Sequence, residues 1–586
     1  MAAAAAPANL YGFKCNAMLR RNFFWEKTLM SQRLNRKIVM VLAMMAMIAA
    51  VSIRAADNTG VLQGVVKDNA GAPVAGAFVK MKNAERRLTF MVISQPQGRY
   101  TANVPPGSYV VQGVGGEYQS ALSTQKDVSS GRSTTVDVAL TDKRAPHLPN
   151  AWPGRPPGQG GGEAAATAPL KLPDGNGKQL VTGKCSMCHD AARIANARYD
   201  RAHWLDIIDD MQAYARGSEI ARELTNEEVN VLLDYLLANF SDAERGRRAR
   251  QPVDPNSRLP RTLMQGDATK YIAVEFELPK TNVEPHELTV DNQGNGWLTQ
   301  RTGGHLGRFD TKTFTYTELE PPAGATQKVR LNGIVRGPDN KLWFVDGGPN
   351  RRWLNYDLAS ETFNVFPVPK LKYGNSTGNT MRVHPNGTVW LCNIGSNQII
   401  RLDPKTNKFD VWEVPAGVQA KKNATPYGMA VAGDGKVWFV ENTFNQLGRI
   451  DPATGKFDEY PIPVKGAVTR KMGSDSEGNI WVGLHVPGKL MKVDYKTTQM
   501  TIFDPPTEDS GVYSVQGDPK SKLIWFSQQH ADQIARFDPA TRAFTEFALS
   551  NAEEDHRRIE IDPTNSNRIW WTGNVSGRIG YIELLK

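Results

Sequence analysis

The chain has 586 residues, too many for one hydrophobic core, so two to four domains are expected. Its 40% hydrophobic and 22% charged residues are those of an ordinary soluble protein. The net charge of +10 does not make it a nucleic-acid binder: residues 1–55 hold eight basic residues and one acidic, leaving about +3 for everything after Ala55.

That basic leader reads as an export signal. Arg33, Arg36 and Lys37 precede an apolar run from Ile38 to Ser52, and small Ala55 supplies a cleavage site. Met30 makes a more typical signal start than Met1. The competing reading is an uncleaved anchor, for which about fifteen apolar residues are short; membrane contact is expected only in that case. The remainder is expected to be periplasmic or otherwise exported.

Residues 58–141 alternate apolar side chains (Val65, Val79, Tyr100, Val104, Tyr109, Val111) with Gly, Pro, Asn and Asp turns, which predicts a small β-sandwich. Gly64, Val66, Asp68, Gly71, Pro73, Val74, Gly76, Ala77 and Val79, then Gly98, Tyr100, Val104 to Gly107 and Tyr109, carry a resemblance to the carboxypeptidase regulatory-like domain. The resemblance implies an accessory or binding role. Residues 142–170 are so rich in Pro, Gly and Ala that they read as a linker, and 242–265 as a second one.

Between the linkers, residues 171–241 have helical character. Trp204, Ile207, Ile208 and Met211 share one face, and a Thr225-x-x-Glu228 capping box opens a second helix with Val229, Leu232, Leu233, Leu236 and Phe240 on its apolar side. So small a domain is thinly supplied with core, a deficit that a large apolar cofactor would fill.

Cys185-x-x-Cys188-His189 lies at the start of this region. It is the c-type haem attachment pattern: two thiols add across the haem vinyl groups, and the adjacent histidine reaches the iron from the same side. A disulfide oxidoreductase would need a βαβ setting, absent here, and zinc would need a second Cys/His pair nearby. Of the other cysteines, Cys15 lies in the leader and Cys392, in "VWLCN", reads as a buried thiol on a strand.

The region resembles small class I cytochromes c through Cys185, Cys188 and His189, then Arg198 or Arg201, Trp204, Met211, Glu227 or Glu228, Tyr235, Leu236 and Phe240. The resemblance implies one covalent haem c with His189 and Met211 as axial ligands, His203 being the alternative to Met211. Such ligation raises the potential and suits donation to a periplasmic redox partner.

From Tyr271 onward tryptophan recurs at 297, 343, 390, 438, 481, 525 and 570. Around each lies a unit like "PYGMAVAGDGKVWFVENTFNQLGRIDPATGKFDEYPIP" (426–463), with four short strands and a D-G turn after the first. Seven units predict seven propeller blades over 266–586. The last unit lacks its final strand, and "YIAVEFELP" (271–279) is expected to supply it, leaving no open edge.

The motif D-G-x-x-W-F-x-E-x-x-x-N-x-x-G-R-I resembles the virginiamycin B (streptogramin) lyase family, which implies magnesium and His/Glu side chains acting in elimination at the channel mouth. Aligned on tryptophan, the channel positions read His286, Asn332, Asn379, Tyr427, Arg470, Tyr513 and His556 or Arg557. Three residues after each tryptophan stand Gln300, Asp346, Asn393, Glu441, Leu484, Gln528 and Gly573. His286 thus faces Gln300 rather than a glutamate, and His485 and His530 lie slightly off register. His286, Tyr427 and Arg470 are the candidate catalytic set. There is no P-loop, no G-x-G-x-x-G after a strand and no H-E-x-x-H.

The expected architecture is multidomain and mainly β: a small β-sandwich, a small all-α cytochrome c domain and a seven-bladed β-propeller. The expected function is monohaem electron transfer, with a propeller that docks a partner or binds and oxidises a small substrate, through a second redox cofactor in one version. The alternatives are a magnesium-dependent streptogramin lyase and a non-enzymatic binding protein.

Overall fold

The computed structural model describes residues 59–150, 172–184, 194, 199–216, 218–219, 221–241, 253–280, 282–326, 328–372, 378 and 380–585. The leader, Cys185, Cys188, His189 and Asn379 lie outside them. No helix among the described residues is long and apolar enough to cross a membrane.

The N-terminal region is sandwich-like. Strands β1 (Gly60–Asp68) and β4 (Arg99–Val104) form one sheet; β2 (Phe78–Asn83), β3 (Leu88–Ile93) and β5 (Gly107–Gly115) belong to the other. Val79, Tyr100, Val104, Tyr109 and Val111 are buried as their alternation predicts. On β1 the buried residues are Leu62 and Val66 rather than Val65, whose backbone N–H donates to Asp137 instead.

The C-terminal region is a propeller of seven four-stranded units. Six are separate sheets, and the seventh is completed by Tyr271–Glu277, which pairs antiparallel with Arg578–Leu584. Local chemistry repeats with the blades. An aspartate before the outer strand accepts a backbone N–H two residues on in six blades (Asp310, Asp357, Asp403, Asp451, Asp494 and Asp538), closing the turn. Gly435 in the D-G turn takes φ +78°, a conformation only glycine adopts cheaply. All seven tryptophans are buried. Several face an arginine on the adjoining strand, such as Arg449 at 5.3 Å from the Trp438 ring centre, which gives the G-R-I of the motif its place. Cys392 is a buried free thiol.

The two β regions are continuous. Strand β3 pairs with the other side of Tyr271–Glu277, so the sandwich sheet and the seventh blade form one ten-stranded sheet. The edge that closure of the propeller left bare is thereby covered. Part of 242–265, expected as a linker, is built into this junction: Asn256, Ser257, Arg258 and Leu259 are buried, and the Arg144 guanidinium donates to the Asn256 and Leu259 carbonyls.

Charged groups are buried here in pairs. Arg578 meets Glu554 at 2.6 Å, and Arg258 meets Asp532 at 3.4 Å. Burial pushes Glu554 up to about 8 and Asp532 up to about 7, with the arginines opposing. Carboxyls whose folded value is raised stabilise fully below their unfolded values of 4.5 and 3.8, and the contribution is lost as pH rises through 7–8. Melting temperature is therefore expected to fall between pH 5 and 8.5, and Glu554→Gln to flatten that slope in a pH series of thermal melts.

The helical region is smaller than an all-α domain. Its described helices are Lys178–Gly183, Arg201–Arg216 and Asn226–Phe240, and an all-α cytochrome fold is not supported. The three pack around Val181, Trp204, Ile208, Leu232, Leu233, Leu236 and Phe240. The capping box forms in both directions between Thr225 and Glu228. Gly177 lies so close to Tyr235 that an added Cβ would fall 2.3 Å from its Cβ. The expected apolar face of Arg201–Arg216 holds only in part: Trp204 and Ile208 are buried, Ile207 is half-buried and Met211 is 36% exposed.

Candidate functional site

In six of the seven blades the innermost strand begins with an irregularity of register, between Pro285 and Glu287, Asn332 and Ile334, Pro426 and Met429, Thr469 and Met472, Val512 and Val515, and His556 and Ile559. Extra residues of this kind re-aim side chains and recur beside functional sites. They place His286, Asn332, Tyr427, Arg470, Tyr513 and Arg557 at equivalent positions around the channel. The seventh blade is thereby decided: His556 pairs with Gly573 within its sheet and its Nε2 meets the Gln533 carbonyl, so Arg557 is the ring residue.

Most of the candidate ring residues come together. The Arg470 guanidinium lies 5.5 Å from the Tyr427 ring centre and 5.7 Å from that of Tyr513. The two phenols are hydrogen-bonded to each other. Arg557 Nη1 reaches His286 Nε2 at 3.2 Å, while its other edge pairs with Asp555 at 2.7 Å. His286 and Arg470 belong to opposite halves of this network, with Arg557 between them in charge: Arg557 acts electrostatically on both His286 and Tyr513.

His286 Nδ1 stands 2.9 Å from Glu287 Oε1, so Nδ1–H donates to the carboxylate and Nε2 is left as an acceptor toward Arg557. Burial lowers the imidazole to about 4, with the Glu287 bond opposing and Arg557 adding to the fall. Such a group stays neutral near pH 7 and its lone pair is engaged. That is a poor general base, whose value should lie near the working pH.

Beneath the ring lies a layer that sequence reading missed. Glu287 and Lys471, each one residue beyond a ring position, form an ion pair with both side chains at most 1% exposed. Burial raises Glu287, yet Lys471 and the His286 bond outweigh it and hold the carboxyl down at about 2. Arg558, at the equivalent step in the last blade, pairs with Glu560. The signal available in the sequence was a charged residue directly after the ring residue in three blades.

The residues three beyond each tryptophan do not form a second ring. Gln300 donates to Tyr316 Oη at 2.9 Å, Asp346 takes Arg352 at 3.0 Å, Glu441 takes Gln446 at 2.8 Å, and Gln528 donates to Glu546 at 2.8 Å. Each is fully buried among partners of its own blade. His485 and His530 lie with ring centres 4.6 Å apart, and His485 Nε2 meets Gln529 Oε1 at 2.7 Å. Among the described residues no three His, Cys, Asp or Glu side chains come together to hold a metal ion.

The helical region stands on the rim of this ring. Asp206 meets Lys328 at 2.6 Å and Asp210 meets Arg330 at 2.6 Å, just before the strand that carries Asn332. Tyr214 Oη donates to the Gly347 carbonyl at 3.0 Å and Ser218 Oγ to that of Lys372 at 2.7 Å. Burial raises Asp210, and Arg330 and Lys328 oppose that rise.

With this geometry in place, comparison with known proteins gives the following. Residues 325–585 match the model of the virginiamycin B lyase family, and residues 61–141 match the carboxypeptidase regulatory-like domain. The propeller is virginiamycin B lyase-like. Among solved structures, one described as a streptogramin B lyase is 22% identical, covering 55% of this chain and 100% of its own, with a TM-score of 0.48. Virginiamycin B lyase from Staphylococcus aureus is 19% identical over 54% of this chain and 100% of its own, with a TM-score of 0.47. No curated protein sequence matches the chain significantly. Within the virginiamycin B lyase-like propeller, the mouth combines two guanidiniums, two phenols and a neutral imidazole. That set suits recognition better than proton abstraction.

Proposed function

We propose that the chain is an exported electron-transfer protein whose helical region carries one haem c on the rim of a ligand-binding propeller. Cys185 and Cys188 would attach the haem, with His189 and Met211 as its axial ligands; bound there, it supplies one-electron chemistry. The observation that carries the reading is the position of Arg201–Arg216. This helix is tied to the propeller mouth through Asp206 and Asp210, while Met211, seven residues from buried Trp204 and so on the same side, is exposed and does not join the three-helix core.

The described residues fit such a group. Met211 and half-buried Ile207 extend the apolar face beyond the protein core, and the Gly177–Tyr235 contact locks the first helix to the last. Asp206 and Asp210 fix the helix that presents Met211, and the ring would hold the small substrate or the redox partner's contact. The sandwich acts as the brace of the seventh blade.

The test is an oxidised and a reduced absorption spectrum of protein exported from a host that matures c-type cytochromes, with haem counted per chain by pyridine haemochrome. One covalent haem per chain, lost in Cys185→Ser/Cys188→Ser, is expected. Chains exported without haem would overturn the reading.

A second reading is a lyase-like elimination, favoured by the family match over 325–585. It predicts linearisation of a cyclic depsipeptide that vanishes in His286→Ala. Two features weigh against it: the neutral, engaged His286, and a ring whose donors do not fit a hard divalent cation, which prefers several carboxylate or carbonyl oxygens. A purely binding role predicts partner capture with neither haem nor turnover.

A further inference from the structure

We infer that the propeller mouth is a carboxylate site, with Arg470 as its recognition residue, suited to a small monocarboxylate. The inference rests on the reading of the ring as the ligand site and names the class of ligand it takes.

Arg470 departs from most of the buried or half-buried arginines of the propeller, sharing with Arg336 and Arg382, which bond to backbone carbonyls, the lack of a carboxylate partner among the described residues. Arg352, Arg401, Arg449, Arg557, Arg558, Arg568 and Arg578 each meet a carboxylate. Among the described residues, none pairs with Arg470. Among them its one hydrogen bond runs from Nη1 to the neighbouring Thr469 carbonyl at 3.2 Å. It remains partly open to solvent. The two tyrosines hold the guanidinium by its π contacts, which orient the plane and leave its edge donors pointing away from them. A planar fork so presented matches a carboxylate bidentately.

Charge narrows the class. Arg470 and Arg557 contribute two positive charges to the mouth and Asp555 one negative, while Glu287 and Lys471 cancel below. The sum favours a monoanion over a dianion such as phosphate. His286 adds no charge of its own, since its Nδ1 proton is held by Glu287 and its Nε2 accepts from Arg557.

The experiment is calorimetric titration of the full chain with benzoate, benzamide and inorganic phosphate at low ionic strength, on the natural protein, Arg470→Met and Arg470→Lys. Expected is saturable benzoate binding, weakened about tenfold or more in Arg470→Met and less in Arg470→Lys, with no benzamide binding. Thermal melts of both variants show that they remain folded. The inference is overturned if benzoate does not bind, if Arg470→Met binds it equally, if benzamide matches benzoate, or if phosphate binds in its place. Haem is counted on the same samples: its absence overturns the electron-transfer proposal and leaves the carboxylate result to stand or fall alone.

Discussion

Lys471→Met should lower the unfolding free energy by about 3–5 kcal/mol, because it strips the cation from a buried carboxylate and leaves the charge uncompensated. Lys471 is fully buried and Glu287 is 1% exposed, so water cannot take the lysine's place. Adding Glu287→Gln to the same chain should recover much of the loss, since a neutral pair of similar size has no charge to leave stranded. Urea unfolding of the three proteins checks this, and a double variant as unstable as the single one would contradict it.

The pH dependence has a definite sign. A carboxyl held at about 2 in the fold contributes stability that is present above its unfolded value of 4.5 and lost as pH falls toward 2. Without Lys471 the folded value rises, so acid unfolding should begin at higher pH in Lys471→Met. The change also reaches the mouth, because Glu287 orients His286.

Val274→Pro is expected to cost at least about 3 kcal/mol, since it removes a ladder donor, leaves a buried acceptor unmet and withdraws a side chain from the core. Val274 is 2% exposed and pairs with Phe90 on one side and Tyr581 on the other. Proline there disturbs both the closure of the propeller and its junction with the sandwich. Limited proteolysis should cut the variant between residues 253 and 280 well before the natural chain, and a urea melt should resolve two transitions in place of a coupled one. A single transition at unchanged midpoint would show that the strand is not the joint between the regions.

The elements that were legible in sequence are those built from near neighbours. The capping box at Thr225 and Glu228, the aspartate turns and the tryptophan spacing all act within a few residues or repeat at a fixed interval, so each needs no knowledge of the rest of the fold. The pairing of Tyr271–Glu277 with the last blade was readable for the same reason: it completes a repeat unit. The carboxypeptidase regulatory-like and virginiamycin B lyase-like regions could be recognised from such motifs.

The site was legible only in part. His286, Tyr427 and Arg470 take equivalent places on their innermost strands, but His556 and Arg557 could not be told apart in the sequence, because a register irregularity changes which of two adjacent side chains points inward. On β1 the register with β4 is unbroken, and the adjacent Val65 and Val66 offer an apolar side chain in either phase; Leu62 and Val66 are the ones that face the core. The surroundings of the positions three beyond tryptophan could not be read, because their partners, such as Tyr316 for Gln300, sit on strands whose register the repeat does not state.

By itself, then, the sequence determined the blade repeat, its turns and the helix cap, all of them local patterns. Tertiary structure decided the Glu287–Lys471 pair, 184 residues apart in the chain, the sharing of a strand between sandwich and propeller, and the seat of the helical region on the mouth. These are contacts between surfaces that only closure of the propeller brings together, and no period or spacing along the chain encodes them.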